Sequence, residues 1–144
     1  MARWRAAAIK LLPELREEVA AADNLMALWI ELHNQFNTAY REPRNEDLIS
    51  RIYAYADWCL YAPPQNDSAH DPGMAVNLAF FEHIPTNRAA REDMPRWFTY
   101  KEVAACPDIF SYFLDEQAFS DLLAYMKKHQ KRYVKRPRVI MGIP

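Results

Sequence analysis

Residues Glu46 to Tyr61 read EDLISRIYAYADWCLY. Leu48, Ile49, Ile52, Tyr53, Tyr55, Trp58, Cys59, Leu60 and Tyr61 are apolar or aromatic, and Ala54 and Ala56 lie between them. Side chains on an α-helix advance about 100° per residue, so these positions cover most of the helix surface. Only Asp47, Ser50, Arg51 and Asp57 form a narrow polar strip. A helix this apolar must be covered by other helices. The sequence therefore predicts an all-α fold with this segment at its centre.

The neighbouring stretches supply the cover. Upstream, Leu25, Trp29, Leu32, Phe36 and Tyr40 recur at helical spacing and predict a helix from Asn24 to Tyr40, with Asp23 as its N-cap. Pro43 ends that helix, and Asn45 caps the central one, with Glu46 and Asp47 in its first turn. So short a link makes the pair an antiparallel hairpin. Further upstream, Pro13 cannot sit within a helix and is expected to open one, leaving residues 2–11 as a separate helix or turn.

Downstream, Pro63-Pro64 stop the central helix. The polar loop PPQNDSAHDPG follows, and Asp71 and Pro72 read as N-cap and first residue of a helix to His83, with Met74, Leu78 and Phe81 in one row. Beyond it come a short helix at NRAARED, a capping box at Thr99 and Glu102, a helix from Pro107 towards Leu114, and a last helix capped by Asp115. Phe119, Leu122, Leu123 and Met126 form the row expected to be buried in that last helix. This is a compact bundle of five to seven helices. Met26-Ala27-Leu28 faces Met74-Ala75-Val76 at an offset of 48 residues and suggests HEAT-like helical hairpins. One helical domain is expected over residues 1–126, with residues 127–144 a basic extension of the last helix and a tail.

Composition agrees. Two glycines among 144 residues disfavour hairpin-rich sheet and exclude a glycine-rich phosphate loop, and with it P-loop or Rossmann chemistry. No apolar run approaches the roughly 20 residues that span a bilayer, so no membrane partner is expected. The N-terminal MARWRAAAIKLL is broken by Lys10 and Pro13 and lacks a cleavage site, which argues against a signal peptide. Cys59 and Cys106 lie in apolar settings and read as unpaired thiols in a reducing cytoplasm. Charge is unevenly placed. Residues 1–126 hold eleven basic and nineteen acidic side chains, a balance of −8, and the remainder carries +7.

Four groups of residues could carry chemistry. Asp57, His70, Asp71, Glu82 and His83 are metal-ligand types around one loop. However, adjacent Glu82 and His83 point about 100° apart on a helix, and no His-x-x-x-His or Cys-x-x-Cys occurs. No metal or cofactor is therefore assigned, and no catalytic residue. Cys59, among Trp58, Leu60 and Tyr55, is expected to be inert by burial, and Cys106 more accessible. The basic end, KKHQKRYVKRPR, could engage nucleic-acid phosphates, but the acidic body opposes this, and the end can instead dock on that body. Tyr61, Arg96 and Trp97 are aromatic and arginine side chains beside loops, the types that anchor protein interfaces, and are expected to be partly exposed.

The Leu12–Leu15 segment LPEL, the Arg51–Cys59 segment RIYAYADWC and the Ala75–His83 segment resemble, in that order, small all-helical bacterial proteins classed as a domain of unknown function. The resemblance covers about residues 10–125. It implies a helical, HEAT-like cytoplasmic protein and supplies no catalytic residues; some proteins of this kind resemble immunity factors. The expectation is a non-enzymatic protein-binding domain. The alternatives are a small enzyme with a site between the 63–73 loop and Trp97, or nucleic-acid binding through the tail.

Overall fold

The computed structural model of the chain describes residues 1–134. Among these residues there are nine α-helices and no strand: α1 (Arg3–Leu11), α2 (Arg16–Ala21), α3 (Leu25–Ala39), α4 (Glu46–Tyr61), α5 (Pro72–Ala79), α6 (Arg88–Trp97), α7 (Tyr100–Ala105), α8 (Pro107–Phe110) and α9 (Glu116–Lys128). The all-α class expected from the sequence is what the chain adopts. Six helices have eight residues or more, within the expected five to seven; α2, α7 and α8 are short turns opened by local signals. By packing, the described residues fall into two compact units, residues 1–80 and 81–134.

In the first unit, α4 packs against α1, α3 and α5. Ile49, Ile52, Tyr53, Tyr55, Ala56 and Cys59 are fully enclosed. The α3–α4 hairpin runs antiparallel: Phe36 meets Tyr53 edge-on at 5.5 Å, and Trp29 donates its indole N–H to the Cys59 sulfur at 3.4 Å. Phe80 closes this aromatic centre, stacked 4.9 Å from Trp29 and edge-on 4.8 Å from Phe36. Each such ring taken out of water stabilises by roughly 1.5–3 kcal/mol, as does each enclosed Leu and Ile around it. On the other side of α4, the Tyr55 hydroxyl donates to the Trp4 carbonyl at 2.8 Å and Arg51 to the Leu11 carbonyl at 3.0 Å, which sets α1 antiparallel to α4. Arg51 also ion-pairs with Glu14 and with Asp47.

Local signals place the helix ends. Asn45 accepts from the Leu48 N–H, Asp71 from Met74 and Asp115 from Ala118, and the Thr99–Glu102 capping box is formed in full. Pro13 opens a 3₁₀ turn over Pro13–Leu15 that leads into α2. Two expectations are corrected. The cap of α3 is Asn24, which accepts from the Ala27 N–H, and not Asp23. The helix opened by Pro72 ends at Ala79 and not at His83; Phe80 leaves helical geometry, and a 3₁₀ turn over Phe81–Thr86 follows. The buried row of α5 is accordingly Ala75, Val76 and Ala79, while Met74 and Leu78 are exposed.

The second unit is built on Phe81, Phe98 and Phe110, with Phe98 edge-on to both others at 5.4 and 5.2 Å. The helix expected at NRAARED extends to Trp97 as α6, capped by Asn87 and passing through Pro95. In α9 the buried row narrows to Leu122 and Met126, and Phe119 and Leu123 are half-buried. After α9 the chain returns to α6: Arg132 donates to the Glu92 carbonyl, and the Val134 N–H to the Arg96 carbonyl at 2.9 Å.

Candidate functional site

In the first unit the last turn of α4 and the loop after it meet the start of α1. Trp4 and Trp58 belong to different helices, and Tyr55 holds both: its hydroxyl bonds the Trp4 carbonyl, and its ring stacks on Trp58 at 5.8 Å, 9° from parallel. With Arg3, Pro63, His70 and Pro72 they line a cleft of about 350 Å³. Arg5 lies over the Trp4 ring at 4.4 Å and donates to the Val19 carbonyl at 2.6 Å, which holds the guanidinium on that indole.

The loop owes its shape to its own acids. Asp67 accepts from the Ala69 N–H at 3.0 Å and meets His70 Nδ1 at 2.7 Å. The His70 contact, with help from the Ala69 N–H, holds the Asp67 carboxyl below the ordinary carboxylate range. Asp71 accepts from Met74 at the start of α5 and, with its other oxygen, from the Gln65 N–H at 2.7 Å. His70 is thus oriented at the cleft wall, and Asp71 is a cap that also closes the loop.

The five polar residues singled out by the sequence are divided between the two units. Asp57 lies within α4 and is 4% exposed, and His70 and Asp71 turn to separate partners in the first unit. Glu82 and His83 belong to the second unit, where the His83 ring packs 4.7 Å from Phe113. Glu82 is 6% exposed, and burial pushes its carboxyl up, partly offset by His83. No group of three or more His, Cys, Asp or Glu suited to a metal occurs among the described residues.

The expected interface residues divide. Tyr61 is 67% exposed at the end of α4. Trp97 is not exposed: it is 6% accessible, donates its indole N–H to Asp93 at 3.3 Å, and carries the Arg96 guanidinium over its ring at 4.8 Å. Asp93, like Glu82, is a buried acid of this unit, and Arg96 and Arg132 both ion-pair with it. Of the basic end, Arg132 therefore pairs with one of the protein's own acids. Lys135, Arg136 and Arg138, on which the nucleic-acid reading also rested, lie outside the described residues.

Both thiols are free, Cys59 buried and Cys106 exposed. Burial pushes the Cys59 thiol up to about 12, against the pull of the Trp29 and Tyr55 hydrogen bonds, so it is no nucleophile at neutral pH. The Trp4–Trp58 cleft and the Asp93 clasp escaped the sequence reading because their members lie 54 and 39 residues apart. A partial signal existed for the clasp, since Asp93, Arg96 and Trp97 are i, i+3 and i+4 on one helix face. Among the described residues no helix is long and apolar enough to cross a membrane. No protein-family model, curated protein or solved structure matches the chain.

Proposed function

We propose that the chain is a non-enzymatic protein-binding domain, immunity-like or regulatory in role, acting in a reducing cytoplasm. The observation that carries this reading is the set of large apolar side chains at the surface of the first unit. Tyr61 is 67% exposed, Met74 and Leu78 lie four residues apart on α5 at 43% and 45%, and Ile30 on α3 is 57% exposed. Met74 and Leu78, at i and i+4, make one adjoining apolar pair on α5; contiguous exposed apolar surface marks interaction sites, and tyrosine is among the residue types that dominate binding energy. The balance of −8 over residues 1–126 favours a basic partner, drawn in by long-range attraction. The two free thiols support the reducing compartment.

A tagged pull-down from the native host, with and without nuclease, tests the reading. One stoichiometric protein partner that survives nuclease and is lost with Tyr61→Ala is expected. Retention that disappears on nuclease treatment would overturn the reading in favour of nucleic acid.

A further inference from the structure

We propose that the Trp4–Trp58 cleft of the first unit binds a small planar aromatic carboxylate. This site is independent of the protein-binding reading, and either can fail without the other.

The shape comes first. A cleft of about 350 Å³ is within the range of small-ligand sites, which are mostly apolar with a few placed polar groups. Here Ala2, Ala62, Pro63 and Pro72 join the two indoles as apolar lining. Trp58 is held before any ligand arrives by its stacking on Tyr55; the Tyr55 hydroxyl fixes the Trp4 backbone at its carbonyl, and the Arg5 guanidinium lies over the Trp4 ring. Side chains already fixed lose little entropy on binding, which favours a flat ring as occupant.

Charge then selects the polar end. Among the described residues the ionisable side chains of the lining are Arg3 and His70, and neither of them is a carboxylate. The two acids in the adjoining loop are committed elsewhere, Asp67 to His70 Nδ1 and the Ala69 N–H, Asp71 to the Met74 and Gln65 N–H groups. Asp67 fixes the imidazole through Nδ1, leaving Nε2 as the nitrogen for a ligand. Arg3 makes no ion pair among the described residues. A guanidinium with an oriented imidazole suits a carboxylate, and charge-assisted hydrogen bonds of this type are the strong ones.

The test is titration of the full chain with 2-naphthoate, 2-naphthamide and hexanoate, followed by calorimetry and by the NMR shifts of the Trp4 and Trp58 indole N–H groups. Naphthoate is expected to bind at a single site and to move both indole signals. Naphthamide and hexanoate are each expected to bind about tenfold more weakly or worse. Arg3→Gln is expected to weaken naphthoate by about the same factor and to leave naphthamide unchanged. Arg3 is exposed, so this variant keeps the fold, which an unchanged melting temperature verifies. Naphthamide binding as tightly as naphthoate would overturn the carboxylate assignment. Equal binding of hexanoate would overturn the aromatic one. Absence of saturable binding in the millimolar range, or binding that leaves both indole signals in place, would overturn the site.

Discussion

At the scale of single residues, burial decides which side chains keep their ordinary chemistry. Cys59 and Cys106 are the same residue type with opposite fates. Cys59 is enclosed, with its thiol pushed up to about 12, and Cys106 is exposed. A thiol reagent at pH 8 should label one cysteine per native chain, at Cys106, and both after denaturation; native labelling of Cys59 would contradict the packing around Trp29. Glu82 is a second case. Its folded carboxyl is pushed above the ordinary value by burial, so the ionised form costs stability at neutral pH. That cost is absent below the unfolded value near 4.5 and is fully present once pH rises past the folded one. Glu82→Gln should therefore raise the melting temperature at pH 7, with the gain shrinking as pH falls through the carboxylate range. A gain that grows on acidification would mean that the carboxylate is stabilised in the fold. The sequence showed the burial of Cys59 through its apolar neighbours. It gave no sign that Glu82, after a turn that leaves the helix, would be enclosed.

At the scale of elements, caps and periodicity were legible, and faces were only partly so. Asn45 accepts the Leu48 N–H at the start of α4, the helix that packs against α1, α3 and α5. Asn45→Ala should lower unfolding free energy by about 1 kcal/mol, read from the urea midpoint at constant slope. The α5 helix shows where reading fails. PGMAVNLA is apolar nearly all round, so hydrophobicity alone could not choose between Met74–Leu78 and Ala75–Val76–Ala79 as the inner row. The small residues face inward and let the helix approach α3 and α4 closely. Val76→Ala should cost roughly 1–3 kcal/mol, since Val76 is fully enclosed, whereas Leu78→Lys should stay within about 0.5 kcal/mol. A large loss from Leu78→Lys would restore the sequence-based assignment of the inner row. The junction after α5 is similar. Adjacent Phe80 and Phe81 belong to different aromatic centres, and the backbone leaves helical geometry at Phe80, with φ −125° and ψ −67°.

At the scale of the whole molecule, charge is the property that acts at a distance. The acidic excess before residue 127 is a statement about approach rates, not about fold. With a basic partner in hand, joint reversal of Glu31, Glu42 and Asp67 to lysine should slow association about tenfold at low salt, with the difference fading as salt rises. Unchanged association rates at low salt would remove the steering argument. Part of the basic end is already neutralised within the chain, since Arg132 sits on Asp93 and the Glu92 carbonyl.

The sequence by itself determined the helical class, the central place of Glu46–Tyr61, most of the caps and the prolines that open or stop helices. These follow from interactions within a turn or two of the chain, where residue type and spacing are the physics. Tertiary structure alone decided that Trp97 is buried, that Met74 and Leu78 face outward, that Trp4 and Trp58 line one cleft, and that Arg132 joins Arg96 and the Trp97 indole at Asp93. Each depends on which surfaces meet across tens of residues, and a one-dimensional pattern gives the same apolar or charged letter to a side chain whether another element covers it or leaves it to water.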